Sequence, residues 1–227
     1  MNQKLSFSIG FPSESSLIMD GLSKRSLKDI LKLKTALTAW FVGSVLLAMS
    51  FVSKPAQAQV KVGEPAPSFS LQDQFGQTHQ LKDYQGKTVV LEWTNPGCPF
   101  VVYHYERNTM DKLIAQYPDV VWLRINSSYF TTAKDNLAWA KAEGVKTVLA
   151  DPSGKVGHLY HAKTTPHMFV VNAQGILVYQ GAIDDNPHRE DRKAKNYVEL
   201  ALKSLKSGSK IAISETQAYG CSVKYKK

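Results

Sequence analysis

Two cysteines are the only thiols in the 227-residue chain, and one of them occupies a position at which proteins activate sulfur. Cys98 follows an apolar run, residues 88–93, and precedes Pro99, whose preset backbone angle suits the first turn of a helix. A thiol attacks as its thiolate, which the unpaired N–H groups and the dipole of a helix N-terminus stabilise. Cys98 is therefore predicted to be a redox nucleophile. The alternatives are a buried apolar cysteine and one half of a structural disulfide.

The second cysteine, Cys221, lies in the C-terminal tail (residues 207–227), after a flexible Ser-Gly-Ser break and directly after Gly220. Val101 stands three residues after Cys98, where a local two-cysteine motif would have its second thiol, so any disulfide within one chain must join Cys98 to Cys221. Cys221 could resolve a mixed disulfide or a sulfenic acid on Cys98. It could equally tether the tail, which would stabilise the fold by about 2–4 kcal/mol.

The N-terminal region has the order of a secretory signal. An apolar stretch, residues 35–52, follows a basic segment and precedes Ala56-Gln57-Ala58, a small-x-small cleavage pattern. Cleavage is predicted after Ala58 and would separate residues 1–58 from one domain, residues 59–206, and the tail. The alternative is an uncleaved anchor, since a membrane span needs about 20 apolar residues. Either way we expect export, to a bacterial periplasm or facing it from the membrane, with membrane contact only through this segment.

The formal net charge of +9 is divided between the leader and the exported part of the chain. Residues 1–58 carry about +4 of it and the remainder about +5. The Lys-rich stretches, residues 203–210 and 224–227, are most simply a solvated helix end and a solvated tail. No nucleic-acid partner is therefore expected. The sequence has no glycine-rich phosphate loop, so no organic cofactor is expected either.

The first half of the exported part alternates strands and helices. Its opening residues, 62–81, contain several Pro and Gly residues between short apolar positions, which predicts an N-terminal hairpin. Apolar runs at residues 88–93 and 120–126 predict buried strands, with one helix between them from Pro99 to about Tyr117. Residues 133–143 then predict a helix that Gly144 closes. This alternation indicates a parallel strand pair.

The second half returns to strands and ends in a helix. Residues 167–171 and 176–179 flank Asn-Ala-Gln-Gly and predict an antiparallel hairpin, and residues 191–206 predict the last helix. The resulting order, β-α-β-α-β-β-α with a cysteine at the start of the first helix, predicts an α/β protein with the thioredoxin-like fold. We expect a central mixed sheet flanked by helices, with the first hairpin as an N-terminal extension.

Two motifs ahead of Cys98 support a family resemblance. They read Gly63-x-x-Ala66-Pro67-x-Phe69-x-Leu71-x-Asp73-x-x-Gly76 and Leu81-x-x-Tyr84-x-Gly86-Lys87-x-Val89-Val90-Leu91-x-Trp93. The span from Val62 to about residue 206 thereby resembles the redoxin branch of the thioredoxin superfamily. This branch groups alkyl hydroperoxide reductases and thiol-specific antioxidants with exported thioredoxin-like reductases.

The resemblance implies an oxidoreductase that performs thiol-disulfide exchange with a protein partner through Cys98, with Cys221 as the candidate resolving cysteine. It implies that Thr165 and Pro166 form the cis-proline loop, which faces the reactive cysteine and shapes the docking site of a partner disulfide. The tail's Gly-Cys-x-x-Lys-Tyr ending recurs in exported relatives with a Cys-Pro-Phe-Val loop, which favours a functional pair. The further residues predicted to line the docking site are Thr94, Pro99 and His167.

A thiol peroxidase with antioxidant activity, which reduces small hydroperoxides, is the alternative enzyme. Peroxiredoxins carry a proline seven residues before the reactive cysteine and a Thr or Ser three residues before it, whereas this chain has Leu91 and Asn95 there. Thr94, one position away, could still donate a hydrogen bond to a peroxide. The candidate cations for this alternative are Arg107, Arg124 and Arg189.

Outside enzymes, the alternatives are a copper-binding chaperone and an inert, disulfide-locked interaction domain. Two thiols and a histidine could bind Cu(I) or Zn²⁺. Copper chaperones of this fold use paired local cysteines, which the chain lacks, so no metal site is predicted. His167 is expected to approach the thiol and His104 to point away from it. Asp184 and Asp185 are expected to form a solvated turn rather than an acid/base pair. A homodimer, in which Cys98 meets Cys221 of a second copy, is left open.

Overall fold

The computed structural model of the chain describes residues 60–190 and 193–227. The predicted signal segment and its cleavage site after Ala58 lie outside the described residues. Within the described ranges, no helix has the length and apolar character that a membrane span requires.

Nine strands and five α-helices make up the described part of the chain, together with a 3-10 turn at Leu81–Tyr84. In chain order the strands are β1 (Ser70–Asp73), β2 (Thr78–Gln80), β3 (Val89–Trp93), β4 (Val121–Asn126), β5 (Val148–Ala150), β6 (Thr164–Thr165), β7 (His167–Val171), β8 (Leu177–Gly181) and β9 (Cys221–Ser222). The helices are α1 (Pro99–Glu106), α2 (Thr109–Gln116), α3 (Ala133–Ala142), α4 (Lys155–Leu159) and α5 (Tyr197–Ser207).

Seven of the strands form one mixed sheet in the order β2-β1-β5-β4-β3-β7-β8. The pairs β3–β4 and β4–β5 are parallel, whereas β7 runs antiparallel to β3 and to β8. The N-terminal hairpin β1–β2 joins the sheet through β5. The predicted thioredoxin-like fold, with its mixed sheet and hairpin extension, is confirmed. The remaining strands, β6 and β9, pair with each other in a separate two-stranded sheet.

Two apolar clusters pack on opposite faces of the sheet because successive strand residues point to opposite sides. In β3, Val90 belongs to one cluster, and Leu91 and Trp93 belong to the other. The first cluster contains buried residues of α1, α2, α3 and α5, and it includes Cys98. The second contains Val156 of α4 and residues of the N-terminal segment. The Cys98 thiol therefore lies on the face covered by most of the helices.

The helix predicted from Pro99 to about Tyr117 is wrong as a single element. The structure has two helices of eight residues each, α1 and α2, separated at Asn108. Asn108 has a positive φ of 54°, the left-handed conformation that asparagine tolerates better than most residues. Cys98 therefore stands at the start of a two-turn helix.

The last helix also begins later than predicted, at Tyr197 rather than near residue 191. Its N-cap is Asn196, whose side-chain oxygen accepts a hydrogen bond from the Glu199 N–H at 2.9 Å. The sequence also did not predict β5, α4, β6 and β9, which have three, five, two and two residues. Segments this short contain too few residues for an apolar period to be recognised.

A buried charge pair links α1 to the two central strands. Glu92 and Arg124 face each other in the β3–β4 register, and Arg124 Nε lies 3.5 Å from Glu92 Oε2. The Tyr105 hydroxyl of α1 donates to Glu92 Oε2 at 3.1 Å and accepts from Arg124 Nε at 3.2 Å. Burial raises the pKa of Glu92, and the Arg124 charge acts in the opposite direction. The pair and Tyr105 thus hold α1 against the sheet.

Removing one charge of this pair should cost more than removing both. We expect Arg124→Leu to lower the free energy of unfolding by about 3–5 kcal/mol near pH 7, because Glu92 would remain buried without its partner. The double variant Glu92→Leu/Arg124→Leu should regain most of this loss, and urea unfolding measures both. A single variant as stable as the double variant would contradict this account of α1.

Candidate active site

Cys98 is the N-cap residue of α1, and its thiol is almost entirely enclosed. Its backbone is extended, with φ −85° and ψ 120°, Pro99 follows as the first helical residue, and the cysteine is 2% exposed. The thiol donates to the Thr165 carbonyl oxygen at 2.9 Å. The preceding loop is held by Asn95, whose backbone carbonyl accepts the Cys98 N–H and whose side chain accepts the Gly97 N–H. The predicted strand-loop-helix position of Cys98 is thus observed.

Cys221 lies beside Cys98 because the tail adds a short strand next to it. In the antiparallel pair β6–β9, Cys221 is opposite Thr165, the residue whose carbonyl contacts the Cys98 thiol. A thiolate at Cys98 would accept hydrogen bonds from the thiol and the N–H of Cys221, and neither cysteine is in a disulfide. The two predicted thiols therefore meet within one chain.

The surroundings of the two sulfurs separate their pKa values. Burial acts to raise the pKa of Cys98, but hydrogen bonds from the Cys221 thiol, the Thr165 hydroxyl and the N–H groups of Val101 and Cys221 outweigh it, so this pKa lies below the ordinary value. Burial and the hydrogen bond to Cys98 raise the pKa of Cys221 to about 11. Cys98 consequently ionises first, and Cys221 remains a protonated donor to it.

Gly220 allows the tail to come this close. Its φ is +133°, and a Cβ at this position would lie 2.2 Å from the Thr165 carbonyl oxygen. Any side chain at residue 220 would therefore push β9 away from β6. The absence of a side chain here is what lets Cys221 lie next to Cys98.

The tail is attached on both sides of Cys221. After it, the Val223 N–H donates to the Lys163 carbonyl at 3.1 Å, and the Tyr225 hydroxyl donates to the Ala162 carbonyl at 2.8 Å. These contacts fasten residues 223–225 along the loop that precedes β6. Cys221 is thus held by neighbours rather than being carried on a free end.

Before Cys221, the tail is attached through Tyr219. Its hydroxyl donates to the Asp184 carboxylate and lies 3.2 Å from His104 Nε2, and its ring packs on Phe100 at a centroid distance of 5.9 Å. Burial lowers the pKa of His104 and raises that of Tyr219, so both groups are neutral at pH 7. This network joins α1, the loop after β8 and the tail next to the thiols.

The expectation of a solvated turn at residues 184–185 is wrong for Asp184. That carboxylate is buried, and it accepts hydrogen bonds from Tyr219 and from the Asn186 N–H. Asp185, by contrast, is exposed and accepts the Lys195 N–H at 2.7 Å. The pattern of two adjacent acids did not reveal that one of them anchors the tail.

Of the residues predicted for docking, Thr165 contacts the thiol, and Pro166 and Pro99 directly follow Thr165 and Cys98 in the chain. The Thr165–Pro166 peptide bond is cis, as the resemblance implies, and Pro166 is buried. Pro99 is exposed beside the enclosed cysteine. Thr94 is buried at the end of β3, and its hydroxyl has no hydrogen-bond partner among the described residues.

His167 lies on the face of the sheet opposite Cys98, so the expectation that it approaches the thiol is wrong. In β7, Met168 belongs to the cluster that contains Cys98, whereas the His167 ring packs on Phe169 at 4.5 Å, in the other cluster. Alternation along the strand explains this placement. His167 Nδ1 accepts the Lys163 N–H at 3.3 Å.

The groups proposed for a peroxidase are largely engaged elsewhere. The guanidinium of Arg107 lies 4.6 Å from the centre of the Tyr103 ring, and Arg124 pairs with Glu92. The Asn95 amide, at the position of the peroxiredoxin Thr or Ser, donates to Ser128 at 2.9 Å. Of the three arginines, Arg189 is the one whose charge acts on a thiol: it lies over the Phe100 ring and acts, with Lys224, to lower the pKa of Cys221.

Among residues 60–190 and 193–227, no group of three His, Cys, Asp or Glu side chains is arranged to hold a metal ion.

The sequence did not indicate that Tyr219 and His104 belong to the site. The feature that could have pointed to Tyr219 is its position two residues before Cys221, next to a glycine. The prediction that His104 points away from the thiol did not include the contact that it makes with Tyr219 of the tail.

The placement of His167 has a measurable consequence for stability. Burial lowers its pKa to about 4, whereas an unfolded histidine has a pKa of about 6.5. Between these values the unfolded chain binds a proton that the folded chain does not, so stability should fall by about 2–4 kcal/mol as the pH drops through this window.

We expect His167→Gln to remove this part of the pH dependence. The matched control is His188→Gln, at an exposed histidine, which should behave as the wild type does. Urea unfolding between pH 7 and pH 4 measures the difference. Equal pH slopes in wild type and His167→Gln would contradict the buried, neutral state of this histidine.

Comparisons with known proteins agree with this architecture. A family model described as Redoxin matches residues 61–198, more than half of the chain, and the match includes Cys98 but ends before the tail. The chain is 29% identical over 140 residues to the thiol:disulfide interchange protein DsbE of Pasteurella multocida, covering 58% of this chain and 72% of that protein.

Similar solved structures extend over most of the described chain. A hypothetical protein, SMc02350 from Sinorhizobium meliloti 1021, has a TM-score of 0.66 at 24% identity, covering 74% of this chain and 96% of its own. A putative thiol:disulfide interchange protein DsbE from Chlorobium tepidum has a TM-score of 0.53 at 20% identity, covering 65% and 99%. These likenesses show the fold, and the family match shows the membership: the chain belongs to the Redoxin family and has the thioredoxin-like fold.

Proposed function

We propose that this chain is an exported thiol-disulfide exchange protein in which Cys98 attacks the disulfide of a protein partner and Cys221 resolves the product. The observation that carries the proposal is the β6–β9 pairing, which holds Cys221 opposite Thr165 and against the Cys98 thiol. The similarity to the Pasteurella relative, a thiol:disulfide interchange protein, supports the same reaction class.

In the first step, the Cys98 thiolate attacks one sulfur of the partner disulfide. A mixed disulfide forms between Cys98 and that sulfur, while the second partner sulfur leaves as a thiolate and takes up a proton. The lowered pKa of Cys98 favours this step, because more of the thiol is in its reactive form at neutral pH.

In the second step, Cys221 attacks Cys98 sulfur and releases the partner as a second thiol. The pKa of Cys221 is raised in part by the hydrogen bond to Cys98 and by the charge of the Cys98 thiolate. Both influences end when Cys98 becomes part of a mixed disulfide, so the pKa of Cys221 falls when its attack is needed. The partner disulfide is then reduced, the Cys98–Cys221 pair is oxidised, and an external dithiol must reduce the pair again.

Export and the docking surface belong to the same proposal. The signal-like segment at residues 35–52 supports export, and an oxidising compartment would supply disulfides as substrates. We propose that Thr94, Pro99, Thr165 and Pro166 surround the partner sulfur. The buried, unpartnered hydroxyl of Thr94 supports this, because it could donate a hydrogen bond to a departing thiolate.

The decisive variant is Cys221→Ser, which should trap the first intermediate. Mixed with a peptide that contains one disulfide, the wild-type domain should release the reduced peptide and lose two hydrogens. Cys221→Ser should instead accumulate a mixed disulfide at Cys98, and Cys98→Ser should form none. Intact-mass analysis under non-reducing conditions distinguishes these products.

Three results would count against the proposal. No covalent adduct in Cys221→Ser would reject Cys98 as the exchange nucleophile. Rapid oxidation of Cys98 to sulfenic acid by one equivalent of hydrogen peroxide in Cys221→Ser, with no reaction toward the peptide, would favour the peroxidase. Unchanged reactivity in wild type and both variants would leave only the non-catalytic, structural interpretation of the thiols.

A further inference from the structure

We infer that a partner binds by replacing β9 on the edge of β6, so that the tail is an intramolecular occupant of the partner's own binding position. This inference rests on the proposed thiol-disulfide exchange and specifies the kind of segment that reacts. The partner would be an extended chain segment with a cysteine at the position of Cys221, preceded by glycine.

The tail restricts access to the Cys98 sulfur. Cys98 is 2% exposed, although its neighbours Gly97 and Pro99 are exposed. The thiol therefore lies close to the surface, covered by the Thr165 carbonyl and by Cys221 of the tail. A partner disulfide must bring one sulfur into contact with Cys98 sulfur, and the covering strand β9 is in its way.

The strand β6 depends on the tail for its pairing. β6 pairs with β9 and with no other strand in their sheet, so departure of the tail would leave the backbone groups of Thr164 and Thr165 without strand partners. An unpaired strand edge is a template for another extended chain. β9 has only two residues, which makes it a short strand to displace. An extended partner segment can restore the same backbone hydrogen bonds.

The fit of the tail indicates what such a segment must look like. The residue before the cysteine has no room for a Cβ, because Thr165 carbonyl oxygen would lie 2.2 Å away. The residue before that packs an aromatic ring on Phe100. A partner segment in the same register would therefore carry glycine directly before its cysteine and benefit from an aromatic residue one position earlier.

The attachment of the tail at Thr216 explains how Cys221 returns. The Thr216 N–H donates to the Gln180 carbonyl at 3.1 Å, and its hydroxyl accepts the Ala182 N–H at 2.9 Å. Residues 219–223 can leave β6 while this anchor stays bound, which keeps Cys221 at a high effective concentration near the mixed disulfide. When β9 pairs again with β6, it brings Cys221 to Cys98 sulfur and removes the partner strand from the same edge.

Hydrogen exchange in the trapped intermediate tests this displacement. The probe is the peptide Ala-Tyr-Gly-Cys-Ser-Val-Lys, activated at its cysteine as the disulfide with 2-nitro-5-thiobenzoate, and reacted with full-length Cys221→Ser. Cys98 attacks the peptide sulfur, and the nitrothiobenzoate leaves as a coloured thiolate. Residue-resolved exchange by NMR then compares the free protein with the adduct.

In the adduct we expect the Val223 amide, bonded to the Lys163 carbonyl in the free protein, to exchange at least about tenfold faster. The Asn172 amide, bonded to Ile176 in the β7–β8 connection, is the internal control and should not change. An adduct in which Val223 keeps its protection would overturn the inference while leaving thiol exchange intact. Failure to form any adduct would instead reject the proposed function.

Two glycine variants test, through the rate of adduct formation, whether β9 covers the Cys98 thiol. In the Cys221→Ser background, Gly220→Ala places a Cβ against Thr165 and should loosen β9, which raises the rate of adduct formation by about tenfold. Gly175→Ala is the matched control, because Gly175 also has a positive φ, +79°, but open space around it. Equal rates in both variants would show that β9 does not block the thiol.

A second peptide, with valine in place of the glycine, tests the predicted sequence preference. It should react at least about tenfold more slowly than the Gly-Cys peptide with Cys221→Ser, because its side chain would collide with the Thr165 carbonyl. Equal rates for the two peptides would reject binding in the register of β9.

Discussion

The hydrogen bond from the Cys98 thiol to the Thr165 carbonyl, at 2.9 Å, is the contact on which the site depends. It joins the N-terminus of α1 to β6, and the same residue, Thr165, pairs with Cys221 of the tail. Parts of the chain that are distant in sequence therefore meet at one backbone group. Gly220 makes this meeting sterically feasible, and Tyr219 and Val223 attach the tail on either side of it.

This arrangement gives the thiols of Cys98 and Cys221 different pKa values. Cys98 is surrounded by hydrogen-bond donors and ionises more easily, whereas Cys221 acts as one of those donors and resists ionisation. In the proposed exchange the order of reaction follows from that difference, because the more acidic thiol would attack first and the other would cease to be its hydrogen-bond donor once the first had reacted. A local two-cysteine motif is unnecessary when the tail supplies the second thiol.

The fold could be predicted largely from the sequence, and the site only in part. Apolar runs such as residues 88–93 have clear boundaries, and a cysteine followed by proline at a helix start has a direct electrostatic meaning. The break at Asn108 and the two-residue strand β9 have no periodic signal, because one is a single backbone conformation and the other depends on pairing. His167 was misplaced because proximity in sequence to Pro166 does not determine which face of a strand a side chain occupies.

The most direct test of the account is the product of mild oxidation of the wild-type domain at increasing dilution. Diamide, followed by non-reducing peptide mapping, reports whether Cys98 and Cys221 are linked and whether the link is within one chain. The account predicts a monomeric product with a Cys98–Cys221 disulfide, formed at a rate that does not depend on protein concentration. A disulfide-linked dimer whose formation slows on dilution would contradict it.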